Sequence, residues 1–555
     1  MLAAREDSRP GPAKVAEAQL RRISPGVVGV LACVALCLTA TQRSTSSRVA
    51  FLADDAFYYT VPARHFVAHG IPSLDGVNPG NGFHPLLFLV DVAATALHFG
   101  PVYLLNVAIG VACLFVAGLA LRRFHLAHGD GRAADLALIV FLILPHTFAS
   151  SLTGLESTLY AVALVIFYDA LGRHLMAAPS WRSAASVAAA ALFAYAARTE
   201  GLVQVGGAVV GLLGFSVVHP ERRRHALLAA AGVLSGLLVG LAAFGAFGIL
   251  TTGHATPSSV AQKSVLFQVS RGDLSVIAPA RLLSGWALFG LAPIVVLLWP
   301  IVLRTRRLLR RGALSAAVLG GLTATLAVYL TLIPVFQWHY APSFVVPALL
   351  LFAWIDDAPP RRVRLLAGGA CALAILLANA VTPRWYALEP ARISDTPLVL
   401  VYAFAALLPF RASLASGHLG RMAVASGIAT MLLVVDAERS FRPPHLQRVG
   451  LATCLSASLP PGASVGTRAA GFYAHLLEQR VVNLDGAISW PALEAVRADS
   501  VVSFIHAQHI DVLVDMPPVP GYRPEGLHLQ LRADAPPELL ERWRAGRAGC
   551  RPGDG

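Results

Sequence analysis

Residues 53–59 read Ala-Asp-Asp-Ala-Phe-Tyr-Tyr, and the adjacent carboxylates of Asp54 and Asp55 are the first candidates for chemistry. Two acids side by side at the edge of an apolar run repel one another and cost solvation, so a purely structural segment is expected to avoid them. The chemistry such a pair offers is proton abstraction by a carboxylate. The alternative is capping of a helix over 56–69, because Asp is a favoured N-cap. Downstream, Tyr58 and Arg64 follow at helical spacing, and the Gly-rich run from Asp75 to Pro85 carries Asn81 and His84. Thr153-Gly154-Leu155-Glu156-Ser157 supplies another acid, Ala197-Arg198-Thr199-Glu200-Gly201 a charged pair, and Pro257-Ser258-Ser259 precedes Lys263. Lys14 and Lys263 are the only lysines beside 42 arginines, so Lys263 stands apart from the compositional bias. It reads as a contact to an anionic group or as an interfacial anchor that snorkels. Arg198 and Glu200 read equally as a plain ion pair.

These residues need elements to hold them, and the composition says which. Of 555 residues, 56% are hydrophobic and 14% charged, with a mean hydropathy of +0.63. Apolar blocks of roughly 20 residues match the length needed to cross a hydrocarbon core. A polytopic α-helical membrane protein follows, with spans near 25–42, 101–121, 134–151, 157–172, 183–197, 201–218, 226–250, 284–303, 313–333, 341–355, 365–381, 397–410 and 421–436. The net charge of +13 lies wholly in residues 1–436, and 23 of the 32 basic residues there fall on one set of loops, including Arg122-Arg123 and Arg222-Arg223-Arg224. The positive-inside rule makes that set cytoplasmic. The segment Pro85 to Phe99 is assigned to the membrane surface, because a crossing there would invert every later basic loop. With about 13 crossings the N-terminus, preceded by a disordered tail over 1–24, lies inside, and the loop 43–100 lies outside. A loop of that length is uncommon unless it is functional.

Beyond residue 436 the pattern becomes that of a small water-soluble α/β domain spanning 437–545, followed by a disordered tail over 546–555. Strands are expected over 463–467, 480–484 and 510–514, and helices over 469–478 and 491–508. The 12 basic and 12 acidic residues from 437 to the C-terminus give no basis for nucleic-acid binding. Asp485 closes the second strand at the carboxyl edge of a parallel sheet, where ligands often bind, or marks an ordinary turn. Cys454 and Cys550 can pair if their compartment is oxidising. No CxxC or Cys/His metal spacing occurs.

An acidic pair after the first span, an Ala-Arg two turns on and the Asn81-Gly82-x-x-Pro85-Leu86 stretch resemble the opening loop of GT-C glycosyltransferases, which use polyprenyl-phosphate sugars. The elements holding Glu156, Arg198 with Glu200, and Ser258 with Lys263 resemble later elements of the same families, over most of residues 26–340. The resemblance is to protein O-mannosyltransferases, aminoarabinose transferases and arabinofuranosyltransferases. It implies inverting transfer from a polyprenyl-phosphate-linked sugar donor to an envelope acceptor, whether lipid, glycan or protein, at the periplasmic face of a bacterial inner membrane.

In the family pattern the first acid of the pair is the base, which falls on Asp54, with Asp55 beside it and Glu156 as a second active-site acid. The departing phosphate needs positive charge, for which Lys263, Arg64 and Arg198 are the candidates. Tyr58, Asn81, His84, Glu200, Trp338, His339 and Tyr340 are candidate substrate contacts. Some relatives need magnesium or manganese and others do not; Asp54, Asp55 and Glu156 are the expected ligands if a metal binds. The C-terminal domain is expected to lie outside and to serve acceptor recognition or stability. A transporter or flippase of lipid-linked sugars is the rival, although its charged groups would be expected at mid-membrane in repeated halves.

Overall fold

The computed structural model describes residues 49, 52–128, 145–271, 312–331, 341–353, 446–526 and 529–547, with isolated positions at 134, 137, 138, 141, 142, 301, 305 and 308. The N-terminal tail, residues 548–555, the spans expected near 25–42, 365–381, 397–410 and 421–436, the span expected near 284–303 apart from Ile301, and Trp338, His339 and Tyr340 lie outside the described residues, as does Cys550, whereas Gly546 and Arg547, expected in the disordered tail, are helical.

After a 3-10 turn over Asp54–Ala56 the chain forms α1 (Phe57–His69), α2 (Pro85–Ala96), α3 (Val102–His128), α4 (Pro145–Leu152), α5 (Ser157–Met176), α6 (Trp181–Ala197), α7 (Gly201–Val218), α8 (Arg223–Thr252), α9 (Ser258–Arg271), α10 (Ala313–Thr331) and α11 (Val346–Phe352). Among the described residues, four helices are long and apolar enough to cross a membrane: Val102–His128, Ser157–Met176, Gly201–Val218 and Pro220–Thr252. Each coincides with an apolar block of the sequence. Helix α2 has 12 residues, about 18 Å of rise, too short for a hydrocarbon core of about 30 Å. Its Asp91 is buried and accepts from Asn106 Nδ2 of α3 at 3.1 Å.

Close helix crossings rest on small residues. A Cβ on Gly211 of α7 would lie 2.1 Å from Ala316 O of α10, and one on Gly320 would lie 2.4 Å from Gly207 O. Gly207 and Gly211 sit one turn apart on the same face, the small-xxx-small arrangement that lets helix backbones approach in lipid. The helix ends divide by charge. Arg122 and Arg123, Arg173, Arg182 and Arg222 to Arg224 gather at the ends formed by His128, Met176, Trp181 and Arg223, whereas Glu156, Arg198 and Glu200 sit at the opposite ends of α5, α6 and α7.

A helix over 446–458, α12, leads into the C-terminal sheet. The strands are β1 (Ser464–Thr467), β2 (Arg480–Asn483), β3 (Val512–Val514), β4 (Tyr522–Gly526) and β5 (Leu529–Arg532), in the order β2-β1-β3-β5-β4. β1 runs parallel to β2 and β3, and β5 pairs antiparallel with β3 and β4. Helices α13 (Gly471–Leu476), α14 (Trp490–Arg497), α15 (Val501–Ala507) and α16 (Pro537–Arg547) complete the unit.

Two sequence expectations change here. The single helix over 491–508 is two, because the chain turns at Ala498 to Ser500 with Asp499 in the left-handed region at φ 50°. The β4–β5 hairpin was not expected. Pro524 breaks the strand pattern of β4, and β4 is an edge strand, where a missing N–H costs no ladder bond.

Candidate active site

The Asp54 carboxylate does not cap its own helix. No side-chain capping bond exists at the start of α1 or of the preceding 3-10 turn. Instead, Phe472 N–H donates to Asp54 Oδ1 at 2.8 Å and Gly471 N–H to Oδ2 at 3.2 Å, so the carboxylate sits on the free amides at the start of α13. Burial raises its pKa against the opposing effect of the Phe472 N–H, the Arg448 charge and the Gly471 N–H. Asp55, its neighbour, has no hydrogen-bond partner among the described residues. Burial, then the charges of Asp54 and Asp485, push the Asp55 carboxyl up to about 7, with Lys263 acting in the opposite sense. One turn on, the buried Tyr58 hydroxyl donates to Arg468 O at 3.3 Å and accepts Ala470 N–H at 3.3 Å. Adjacent acids that look equivalent in sequence thus have different duties: Asp54 joins two parts of the chain and Asp55 stands free.

Beside the pair lies a second network, built where α5, α6 and α7 begin or end. Tyr59 donates to Glu156 Oε2 at 2.6 Å. Arg198, with 1% of its side chain exposed, places Nη1 3.3 Å from Glu156 Oε1 and Nε 3.1 Å from Glu200 Oε2. Lys263 Nζ donates to Glu200 Oε1 at 3.1 Å. His84 Nε2 lies 3.4 Å from Glu156 and 3.7 Å from Glu200.

The tautomer of His84 follows from its other nitrogen, which accepts the Thr199 backbone N–H at 3.2 Å. A backbone N–H can only donate, so the His84 proton resides on Nε2 and points at the two glutamates. Burial lowers the His84 pKa despite those carboxylates. Burial would raise Glu156, but His84 and Arg198 outweigh it, and its pKa is lowered. Two carboxylates, a guanidinium and an ammonium leave this network with no net charge.

The candidate cations therefore differ in availability. Arg198 spends its guanidinium on Glu156, Glu200 and Ser157. Lys263, 17% exposed, has a single carboxylate partner among the described residues. Arg64 is exposed on α1, away from the glutamates, beside His475, whose pKa burial and Arg64 push down to about 4. Asn81 is fully buried with all four of its hydrogen-bonding positions in use: Nδ2 donates to His254 O and Thr256 O, and Oδ1 accepts Ser258 N–H and Trp490 Nε1–H. It joins the first loop, the start of α9 and the C-terminal domain. Its flanking glycines are required by contact, since a Cβ on Gly80 would lie 1.7 Å from Ile488 O and one on Gly82 1.8 Å from Ala487 O.

Arg480 adds a further joint, with Nη2 3.0 Å and Nε 3.2 Å from Asp75 Oδ2. Sequence reasoning missed Tyr59, Thr199, Gly471, Phe472 and Trp490, whose partners are remote along the chain; only the paired tyrosines after the acids gave a signal. Among the described residues, no group of three or more His, Cys, Asp or Glu side chains is arranged to hold a metal ion. Of the expected ligands, Asp54 accepts the Gly471 and Phe472 amides and Glu156 is engaged by Tyr59 and Arg198.

No family model matches the chain, and no curated protein matches it by sequence. Solved structures do. ArnT from Cupriavidus metallidurans bound to undecaprenyl phosphate is 16% identical with a TM-score of 0.50, covering 87% of this chain and 88% of that one. The oligosaccharyltransferase of Archaeoglobus fulgidus, tethered to an acceptor peptide, is 14% identical with a TM-score of 0.49, covering 88% of this chain and 68% of that one. At 16% identity the likeness to ArnT is one of fold, and the fold of this chain is the GT-C glycosyltransferase fold.

Proposed function

We propose that the chain is a membrane glycosyltransferase that moves a sugar, with inversion, from a polyprenyl-phosphate donor to an envelope acceptor at the outer face of a bacterial inner membrane. One observation carries the reading: Asp55 is an acid without a hydrogen-bond partner among the described residues, its carboxyl lifted to about 7, between transmembrane helix ends and a water-soluble domain. A base titrating near the working pH balances proton affinity against the fraction deprotonated. The acceptor hydroxyl oxygen attacks the anomeric carbon and Asp55 takes its proton. The bond from that carbon to the phosphate oxygen breaks, and the electron pair leaves with the polyprenyl phosphate. Lys263 exchanges Glu200 for the departing phosphate and offsets its growing charge.

The base is thus Asp55 rather than Asp54, whose oxygens are occupied by the amides of α13. The GT-C fold, shared with an ArnT that holds undecaprenyl phosphate, supports the donor class. The segregation of arginines to one set of helix ends supports placing the glutamates and Asp55 on the outer side. Cys454 is disulfide-bonded, which supports an oxidising compartment for the C-terminal domain. A transporter is not favoured, because the titratable groups cluster at helix ends.

The test is mass spectrometry of envelope glycolipids and glycans from a deletion strain. Wild-type protein should restore a missing glycan and Asp55→Asn, inserted at equal level, should not. Restoration by Asp55→Asn would remove Asp55 as the base.

A further inference from the structure

On α2, Asp91 is a carboxylate with 0% of its surface exposed, in a helix too short to cross a membrane. One of its oxygens, Oδ2, accepts Asn106 Nδ2–H of α3 at 3.1 Å. The other, Oδ1, is buried without a hydrogen-bond partner among the described residues, and so are Asn106 Oδ1 and the Thr95 hydroxyl. These three oxygens share one place. Asp91 and Asn106 are joined by their hydrogen bond, and the remaining oxygen of each planar group flanks it. Thr95 follows Asp91 by four positions, one turn along the same face of α2.

The free hydroxyl is not the habit of helical threonines in this chain. Thr251 and Thr252 of α8 and Thr453 of α12 each donate to the carbonyl four residues back, at 2.8 to 2.9 Å. Thr95 forgoes that bond. A buried acceptor left unpaired costs its desolvation, and a buried carboxylate without a counter-charge costs more. Burial raises the Asp91 pKa, opposed only by the Asn106 hydrogen bond, so among the described residues no cationic side chain offsets this acid.

We propose that Asp91 Oδ1, Thr95 Oγ1 and Asn106 Oδ1 are ligands of one bound monovalent cation, sodium, which pins α2 to α3. The donor set selects the class. Oxygen ligands without nitrogen or sulfur suit a hard cation, and a single carboxylate balances a single positive charge. Calcium takes six to eight oxygens and magnesium keeps several waters, which a buried site with one acid does not supply. One ion offsets the charge of Asp91 and gives all three unpaired oxygens a partner. Helix α2 starts at Pro85, directly after His84, whose ring meets Glu156, Glu200 and Thr199. The cation therefore steadies the helix that continues from His84. This inference does not depend on the glycosyltransferase reading.

Sodium binding is read on purified full-length protein in detergent, exchanged into choline chloride. Replacing choline by sodium at constant ionic strength should raise Tm saturably by roughly 2–4 °C, and potassium, a larger ion, should raise it less. Equilibrium dialysis against radioactive sodium should find one ion per chain. Asp91→Asn removes the charge and keeps the shape; it should retain no sodium and unfold at the same temperature in either salt. Thr95→Val, which deletes one ligand at nearly the same shape, should raise the half-saturating sodium concentration about tenfold; this arm keeps the test open if Asp91→Asn does not fold. A Tm equal in sodium, potassium and choline with no sodium retained would overturn the proposal and leave Asp91 a buried protonated acid. Sodium retained equally by Asp91→Asn would place the ion elsewhere and overturn it too.

Discussion

Gly471→Ala is the sharpest perturbation of the joint between the acidic pair and the C-terminal domain. A Cβ at this position would sit 2.0 Å from Asp54 O and 3.1 Å from Asp54 Cγ. Relief requires the two segments to part by about 1.5 Å, since non-bonded heavy atoms pack at roughly 3.5–4 Å. The amide contacts to Asp54, now 2.8 and 3.2 Å, would then exceed hydrogen-bond reach. Overpacking costs about 1–3 kcal/mol, and a hydrogen bond to a charged group contributes about 1.5–3 kcal/mol. These effects share atoms and do not add, so roughly 3 kcal/mol is expected, about two orders of magnitude in the equilibrium between docked and undocked states. Hydrogen–deuterium exchange of the peptide over 468–476 should show the loss as faster amide exchange. Gly462→Ala, where a Cβ meets nothing within 4 Å, is the control. If Gly471→Ala protein exchanged as slowly as this control, the carboxylate–amide joint would not hold the domain.

Two further predictions concern charge and side. The proposed base, Asp55, acts only when deprotonated, and burial pushes its carboxyl up to about 7, so transfer should fall as pH drops below about 7 and level off above about 8, read from the acid limb of the pH–rate profile; a rate flat from pH 5 to 8 would exclude this acid. An engineered cysteine at Thr252 should react with a membrane-impermeant maleimide on intact spheroplasts, whereas one at His219 should react only after permeabilisation; equal labelling of Thr252 and His219, which flank the Pro220–Thr252 helix, would undo the topology.

The long helices were legible because lipid demands continuous apolar runs. The blocks at 101–121, 157–172, 201–218 and 226–250 therefore map onto helices almost directly. The segment Pro85 to Phe99, which loop charge kept out of the set of crossings, forms a helix of 12 residues, too short to cross. The types of the site residues were legible, but their division of labour was not. Nothing local distinguishes Asp54 from Asp55, because the amides that do so lie 417 and 418 positions away. Asn81 likewise looks like a loop polar residue until His254, Thr256, Ser258 and Trp490 surround it. In the sheet, the alternation of buried Leu529 and Leu531 was a period-2 signal for β5 that the neighbouring Pro524 obscured.

The length of α8 fixes more than a crossing. Its 30 residues rise about 45 Å against a hydrocarbon core of about 30 Å, and its C-terminal end delivers His254 and Thr256 to Asn81. A helix longer than the bilayer accommodates by tilting or by standing proud of it. The height of that joint above the lipid, and with it the level of Asp55 relative to a phosphate anchored in the headgroup layer, is then a function of membrane thickness. On the proposed reading the bilayer becomes a working dimension of the site: a thicker membrane would draw a donor's lipid phosphate up toward the carboxylate, and a thinner one would leave it below.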